Sequence, residues 1–349
     1  MRRSKKIWLG VLTLIIFSSA LAKDRLSPLV LAFYYPWYRT LSVSGYCTWN
    51  FGGNQYEERD RYCEKNHFSA HFPKDGLYDT LDPEVIFRQL QQSISAGIDG
   101  WIVSWWGRDF FQPDPLFLIF EQIEKNNFSF KISIYYEQIP GCQGYKICSR
   151  TKREIIKAVK ENFQFLRENY FSHPAYLKVD HQPVVFIYIR ALLQGKGVWK
   201  KIQKEIERGG EIFLSGDCGF SFIPFFVGKR FEQVHFYNPV SELIILGTKL
   251  FNYSGFVRQV RARGQSPAIT IIPGYDERKL PDRKGLFLKR EQGKIYSQLW
   301  EKALRAQPDW ILITSFNEWY EGTEIEPSQE FGEFYLELTK KYSKLFHQK

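Results

Sequence analysis

None of the five cysteines forms a C-x-x-C pair and no histidine stands at ligand spacing from one, so the chain has no sequence basis for a structural zinc site. The six histidines are scattered, at positions such as His67, His71, His173, His181 and His235, the last of which alternates into a strand and is expected in the core. No Ser-His-Asp order, nucleophile elbow or Walker loop is present, which sets aside serine-type acyl transfer and phosphate-loop chemistry. Tyr34-Tyr35-Pro36-Trp37-Tyr38 stands where a Gly-rich phosphate loop would follow the first strand, and these rings suit a sugar better than a pyrophosphate. After residue 22 no apolar run is long enough to span a bilayer. Repeats, low-complexity tracts and linkers are also missing, so nothing marks a second domain. Basic pairs such as Lys200-Lys201 and Lys340-Lys341 lie in or beside amphipathic segments with no nucleic-acid motif, so nucleic acid is not an expected partner.

What the chain does have is aromatic side chains: 17% of 349 residues, including ten Trp and twenty Tyr, beyond the needs of an aliphatic core. Such rings serve surfaces that must be apolar and hydrogen-bonding together, as sugar clefts are. The first 22 residues read as a secretory signal: Arg2, Arg3, Lys5 and Lys6, the apolar run Ile7 to Phe17, then Ala20-Leu21-Ala22 as a small-x-small cleavage site. Export to the periplasm or the exterior is therefore expected, with a mature chain from Lys23 to Lys349; an uncleaved N-terminal anchor is the competing reading. The formal charge of +10 loses four cations and no anions with that segment, leaving +6. Cys142 with Cys148 and Cys47 with Cys63 suit local disulfides, which leaves Cys218 over. A monomer without cofactor is expected.

Eight strand patterns rich in Ile, Val, Phe and Tyr alternate with helical ones: Leu29 to Tyr35, Gly100 to Trp105, Lys131 to Tyr136, Pro183 to Ile189, Glu211 to Ser215, Gln233 to Tyr237, Ala268 to Ile272 and Trp310 to Phe316. Asp82-Pro83-Glu84 opens the first helix, whose apolar face runs through Ile86, Leu90 and Ile94. Further helices are predicted over Leu116 to Lys125, Lys152 to Tyr170, Val198 to Arg208, Glu242 to Arg263, Lys294 to Ala306 and Phe331 to Phe346, with none clear around Phe220 to Lys229. Eight near-continuous apolar strands alternating with helices predict a single (β/α)8 TIM barrel, with a doubly wound sheet as the alternative. Long insertions follow the first strand, Arg39 to Thr80, and the third, Pro140 to Arg150.

In such a barrel the strand C-termini build the site. They offer Tyr35, Trp37, Trp105, Trp106, Tyr136, Glu137, Tyr188, Arg190, Asp217, Tyr237, Asn238, Tyr275 and Asp276. Trp310 to Pro327, WILITSFNEWYEGTEIEP, then runs an apolar strand into Asn317, Glu318 and Glu321. Glycoside hydrolysis usually needs one carboxyl to protonate the leaving oxygen and a second as base or nucleophile, and Glu318 with Glu321 fits that division. A three-residue spacing in a loop leaves retention or inversion open.

The sequence resembles the glycoside hydrolase family 99 endo-α-mannosidases and endo-α-1,2-mannanases over nearly the whole mature chain. The resemblance rests on ITSFNEWYEGTEIEP at 313 to 327, PGYDER at 273 to 278, GIDGWIVSWWG at 97 to 107, AFYYPWY at 32 to 38 and GLYDTLDPEVI at 76 to 86. It implies a (β/α)8 barrel, no metal, and retention by a route in which the sugar's own 2-hydroxyl is the nucleophile. On that basis Glu318 matches the general base that deprotonates the 2-hydroxyl, giving a 1,2-anhydro sugar, and Glu321 matches the acid/base at the leaving oxygen. Glu321 should then be the protonated member and Glu318 the ionised one. Tyr237 matches a tyrosine near the reacting sugar, Trp105 or Trp106 a tryptophan on the adjoining subsite, and Glu137 and Tyr188 substrate-contacting positions. Three places depart from the pattern: Tyr320 replaces a histidine, Arg39-Thr40-Leu41 replaces Gly-Asn-Pro, and Thr48-Trp49 replaces His-Trp. The resemblance makes a mannan or mannose-containing glycan the expected substrate, with a different bacterial surface polysaccharide, or glycan binding without cleavage, as alternatives.

Overall fold

The computed structural model describes residues 26–50, 67–108, 110, 114–144, 148–281, 283 and 285–349. The N-terminal segment read as a signal and Cys63 lie outside the described residues. Eight parallel strands close on themselves: β1 (Leu29–Tyr34), β2 (Gly100–Trp105), β3 (Lys131–Tyr136), β4 (Gln182–Ile187), β5 (Phe213–Asp217), β6 (Gln233–His235), β7 (Ser266–Ile271) and β8 (Trp310–Ile313). Each pairs with its neighbour in sequence, β3 pairs directly with β4, and β1 pairs with β8 from Leu29↔Trp310 to Ala32↔Ile313. This is the (β/α)8 barrel, and all eight predicted strands are in it.

Both faces of every strand are buried, which is why the strands read as unbroken apolar runs. The period of two still sorts them. Leu31, Phe33 and Tyr35 of the first strand join Ile102, Tyr135, Phe186 and Phe213 in the barrel interior, while Val30, Ala32 and Tyr34 join Trp101, Ile134 and Tyr136 under the helices. His235 is inside, as expected, and burial pushes its pKa down to about 3, so it sits there neutral.

The helices start where the sequence places capping groups. Asp82 accepts from Glu84 N ahead of Pro83–Ser95, Asp114 does the same for Leu116 N ahead of Pro115–Lys125, and Thr151 with Glu154 forms a capping box on Lys152–Leu166. Two predictions need correction. The helix expected over Lys152 to Tyr170 ends at Leu166 and passes into a π turn, Arg167–Phe171. The one expected over Glu242 to Arg263 is two, Val240–Leu250 and Tyr253–Arg261; the first is kinked where Gly247 takes φ 61° and ends at the extended Phe251, and the second starts where Asn252 caps Gly255 N. After β5 there is only a 3-10 turn, Pro224–Phe226, in keeping with the missing helix signal.

The described parts of the first insertion fold back over the end of β8. Phe68 N donates to Trp49 O, Trp49 Nε1 to Tyr78 O, and Trp319 N to the Tyr38 hydroxyl, 2.9 Å away. The second insertion is tied by the Cys142–Cys148 disulfide. Cys47 is also disulfide-bonded, and Cys218 is free and buried.

Candidate active site

The C-terminal end of the barrel opens into a cleft of about 710 Å3. Glu318 and Glu321 stand in its wall with Tyr35, Trp37, Trp106, Glu137, Tyr188, Arg190, Tyr237, Asn238 and Tyr275, eleven of the residues singled out from the sequence. Among the rest, Trp105, Asp276 and Asn317 are elsewhere, each for a definite reason. Trp105 belongs to the outward-facing set of β2, where its ring packs near Tyr136 and Phe165 under the helices; parity puts Ile102, Ser104 and Trp106 inward instead. Asp276 pairs bidentately with Arg278 and lines a separate cavity of about 660 Å3 on the far side of Tyr275. Asn317 is fully buried and works on backbone: its Oδ1 accepts from Tyr35 N at 2.7 Å and its Nδ2 donates to Tyr35 O at 3.1 Å.

The loop after β8 is held by a network beneath it. Glu318 N donates to Ser315 Oγ at 2.7 Å, and Ser315 N to Thr323 O. Glu326 accepts from Tyr78, Gln89 and Trp319, and burial raises its pKa to about 7. Gly322 has φ 57°, and a Cβ there would come within about 3 Å of the Asp276 backbone, so the turn between the glutamates and the β7 loop requires glycine.

Burial is the largest influence on both glutamates and raises both pKa values. The neighbouring Glu321 charge pushes Glu318 up further, while Arg283, whose Nη2 lies 3.8 Å from Glu321 Oε1, pulls both down. The two differ in their partners. Glu321 has Arg283 and the Tyr237 hydroxyl, 3.4 Å from its Oε2, whereas Glu318 Oε2 is buried with no hydrogen-bond partner within the protein. Trp37 Nε1, also in the cleft wall, is a second buried group of that kind. Tyr237 in turn accepts from the Tyr35 hydroxyl, which places Tyr35, Tyr237 and Glu321 in a line.

Opposite this pair, Glu137 accepts from Ser104 Oγ at 2.8 Å and from Arg190 Nη2 at 2.9 Å, and burial lifts its pKa to about 7 against the pull of Arg190. Arg190 lies over the Trp106 and Tyr188 rings, 4.4 and 5.2 Å from their centroids. Asp217 accepts from the Tyr135 hydroxyl below the cleft floor. The departures noted in the sequence have structural work: Arg39 is buried and donates to Pro36 O and Tyr38 O, Thr48 Oγ1 donates to Trp37 O, and Tyr320 donates to Thr48 O from the cleft wall. Arg283 was not foreseen, since a half-exposed arginine in a loop has no sequence signal that distinguishes it.

Residues 25–346 match the sequence profile of Glycosyl hydrolase family 99. The chain belongs to that family. Family 99 membership makes it a glycoside hydrolase. It is 23% identical to a glycoprotein endo-alpha-1,2-mannosidase of Mus musculus, a match covering 90% of this chain and 74% of that one, and equally identical to an endo-alpha-1,2-mannosidase-like protein of Homo sapiens over 90% and 75%. The family 99 endo-alpha-mannosidase structure from Bacteroides thetaiotaomicron superposes with a TM-score of 0.71 at 21% identity, covering 91% of this chain and 97% of that one.

Proposed function

We propose that this family 99 member is an exported, endo-acting α-mannoside hydrolase that cleaves within mannan or a mannose-containing glycan and retains configuration through a 1,2-anhydro sugar. Supporting it are the names of its relatives and one observation above all: Glu318 Oε2 is a buried acceptor that no protein group satisfies, in a cleft where a sugar hydroxyl would reach it. In the first step Glu318 takes the proton of the 2-hydroxyl, that oxygen forms its bond to C1, the C1–leaving-oxygen bond breaks, and Glu321 gives its proton to the departing oxygen. Water then opens the three-membered ring with the two glutamates in reversed roles. The upward push of burial on both carboxyls fits a pair sharing one proton before substrate arrives. A hydroxyl donating to Glu318 favours its charged form and moves that proton toward Glu321.

Trp37, Trp106 and Tyr188 offer apolar faces to the sugars on either side of the scissile bond, and Tyr35 and Tyr237 hold Glu321 in line. Export is supported by the Cys142–Cys148 disulfide, which persists in oxidising compartments. A second reading, cleavage of a different bacterial surface polysaccharide, draws on Tyr320 lining the cleft where the family carries a histidine.

The test uses α-1,2- and α-1,3-linked mannans beside a panel of surface polysaccharides, with product mass and anomeric configuration read by mass spectrometry and NMR. Retained α-oligosaccharides from mannan are expected; cleavage confined to another glycan selects the second reading, and binding without cleavage refutes both. Glu321→Gln should abolish turnover of mannan yet keep part of it on an activated aryl or fluoride donor, where acid assistance matters less. Equal loss on both donors refutes the assignment of Glu321.

A further inference from the structure

The cavity of about 660 Å3 on the far side of Tyr275 has a wall of the same character as the cleft. Tyr275 lines both, and Gly322, next to Glu321, lines the second. Around it stand the rings of Phe287, Phe331, Phe334 and Tyr335, with Phe287 and Phe334 42% and 39% exposed. Arg278, Lys289 and Arg290 are matched in the same wall by Asp276, Glu291 and Glu330, and His71 is held by Glu324 at 2.8 Å. The charges of the wall therefore cancel. A ring-lined cavity without net charge suits a neutral ligand and not a phosphate or a metal ion.

Two buried polar side chains of that wall are left incompletely paired. Arg290 is 6% exposed, and its Nη2 donates to Gly322 O, Glu324 O and the Glu324 carboxylate, while its Nε and Nη1 have no acceptor within the protein. The Tyr335 hydroxyl is also buried without a partner. Its ring centroid lies 4.6 Å from the Arg290 guanidinium carbon, and the Arg290 charge opposes the upward push of burial on its pKa, yet no hydrogen bond joins the two. Glu291 and Gln292, directly after Arg290 and in the same wall, hold φ values of 46° and 51°, unfavourable for residues with a Cβ. Orphaned polar groups and strained backbone gather where a ligand is held. The cleft shows the same pairing of ring faces with orphaned atoms, at Trp37 Nε1 and Glu318 Oε2. A pyranose answers such a wall, because it offers an apolar C–H face to a ring and hydroxyl oxygens to guanidinium and phenol donors.

We propose that this cavity is a second glycan-binding site, which takes a neutral pyranose of the polysaccharide outside the cleft, with its C–H face on the phenylalanine rings and its hydroxyls toward Arg290 and Tyr335. The identity of the ligand as a glycan rests on the function proposed above. Held there, a polymer stays beside Glu318 and Glu321 between one cleavage and the next.

Retardation in native gels cast with α-1,2-linked mannan, or with each of the surface polysaccharides, tests it without turnover. Tyr335→Phe and Phe287→Ala are each combined with Glu321→Gln and run beside Glu321→Gln alone, so that the gel matrix is not consumed. Tyr335→Phe deletes one oxygen that has no partner within the protein, so the melting temperature should not fall, while the apparent Kd for the retarding glycan should rise about threefold or more for the hydrogen bond lost. Phe287→Ala takes away a stacking face and should raise it about fivefold or more. Neither residue lines the cleft, so without Glu321→Gln both variants should keep the parent kcat/KM on a short aryl α-mannobioside. Variants retarded as strongly as their reference, or a panel in which no glycan retards any of the proteins, overturn the proposal. Retardation lost in both variants while the parent cuts no glycan supports this site and refutes the proposed hydrolysis; normal cutting with retardation unchanged in both variants does the reverse.

Discussion

Arg190→Ala should destabilise the protein in a strongly pH-dependent way, and its size follows from the surroundings of Glu137. In the folded protein that carboxyl titrates near 7, against 4.5 for a free glutamate, so parent stability falls as pH rises from the lower value to the higher and then levels off. The penalty already present above the upper value is about 3 kcal/mol. Without Arg190, 2.9 Å away, Glu137 takes a proton instead of staying charged, and holding that proton at about pH 8 costs about 5 kcal/mol relative to the unfolded chain. The difference, roughly 1.5 kcal/mol, adds to about 1–2 kcal/mol for the lost hydrogen bonds and the stacking on Trp106. A total near 3 kcal/mol is therefore expected at about pH 8. At about pH 5 Glu137 is protonated in both proteins and only the second contribution remains. Urea unfolding of parent and variant at the two pH values measures both, and Glu137→Gln/Arg190→Ala should remove the difference between them. A loss equal at both pH values, or larger in acid, would refute the reasoning.

Trp105→Ala and Trp106→Ala, adjacent in sequence, should separate cleanly. The first empties a core position and costs about 3–5 kcal/mol of stability, while the second raises KM several-fold and costs only about 1 kcal/mol, through the lost stacking of Arg190. Melting curves and kinetics on one mannan substrate compare them. Gly322→Ala meets both a positive φ and the Asp276 backbone, so a loss of about 1–3 kcal/mol is expected together with a fall in kcat, because the strain sits beside Glu321. An alanine variant as stable and active as the parent would show that the turn relaxes.

How far the site could be read in advance depended on which physical signal each residue carries. The eight strands were legible because burial on both faces leaves unbroken apolar runs, and their ends locate the cleft. Parity could also have chosen Trp106 over Trp105, since Ile102 and Trp106 share a face of β2. Asn317 could not be sorted that way. A polar side chain at a strand end looks the same whether it faces substrate or, as here, replaces a rung of backbone hydrogen bonds. Asp276 is a similar case, its destination set by Arg278 two residues on. The kink inside Val240–Leu250 is signalled by Gly247, which the apolar periodicity on both sides conceals. The surroundings of Glu318 and Glu321 include Arg283 and tyrosines from other loops, at distances that no local pattern contains.

The double hydrogen bond between Asn317 and the Tyr35 backbone joins residues 282 positions apart, one contributed by the first strand and the other by the loop after the last. Contacts of such sequence separation are the slowest to be made. Until β8 has emerged and closed against β1, neither glutamate has a place to stand, and the tyrosines and tryptophans of the earlier loops face nothing. A chain cut short during synthesis is therefore expected to be wholly inert, so that the appearance of activity reports a finished molecule.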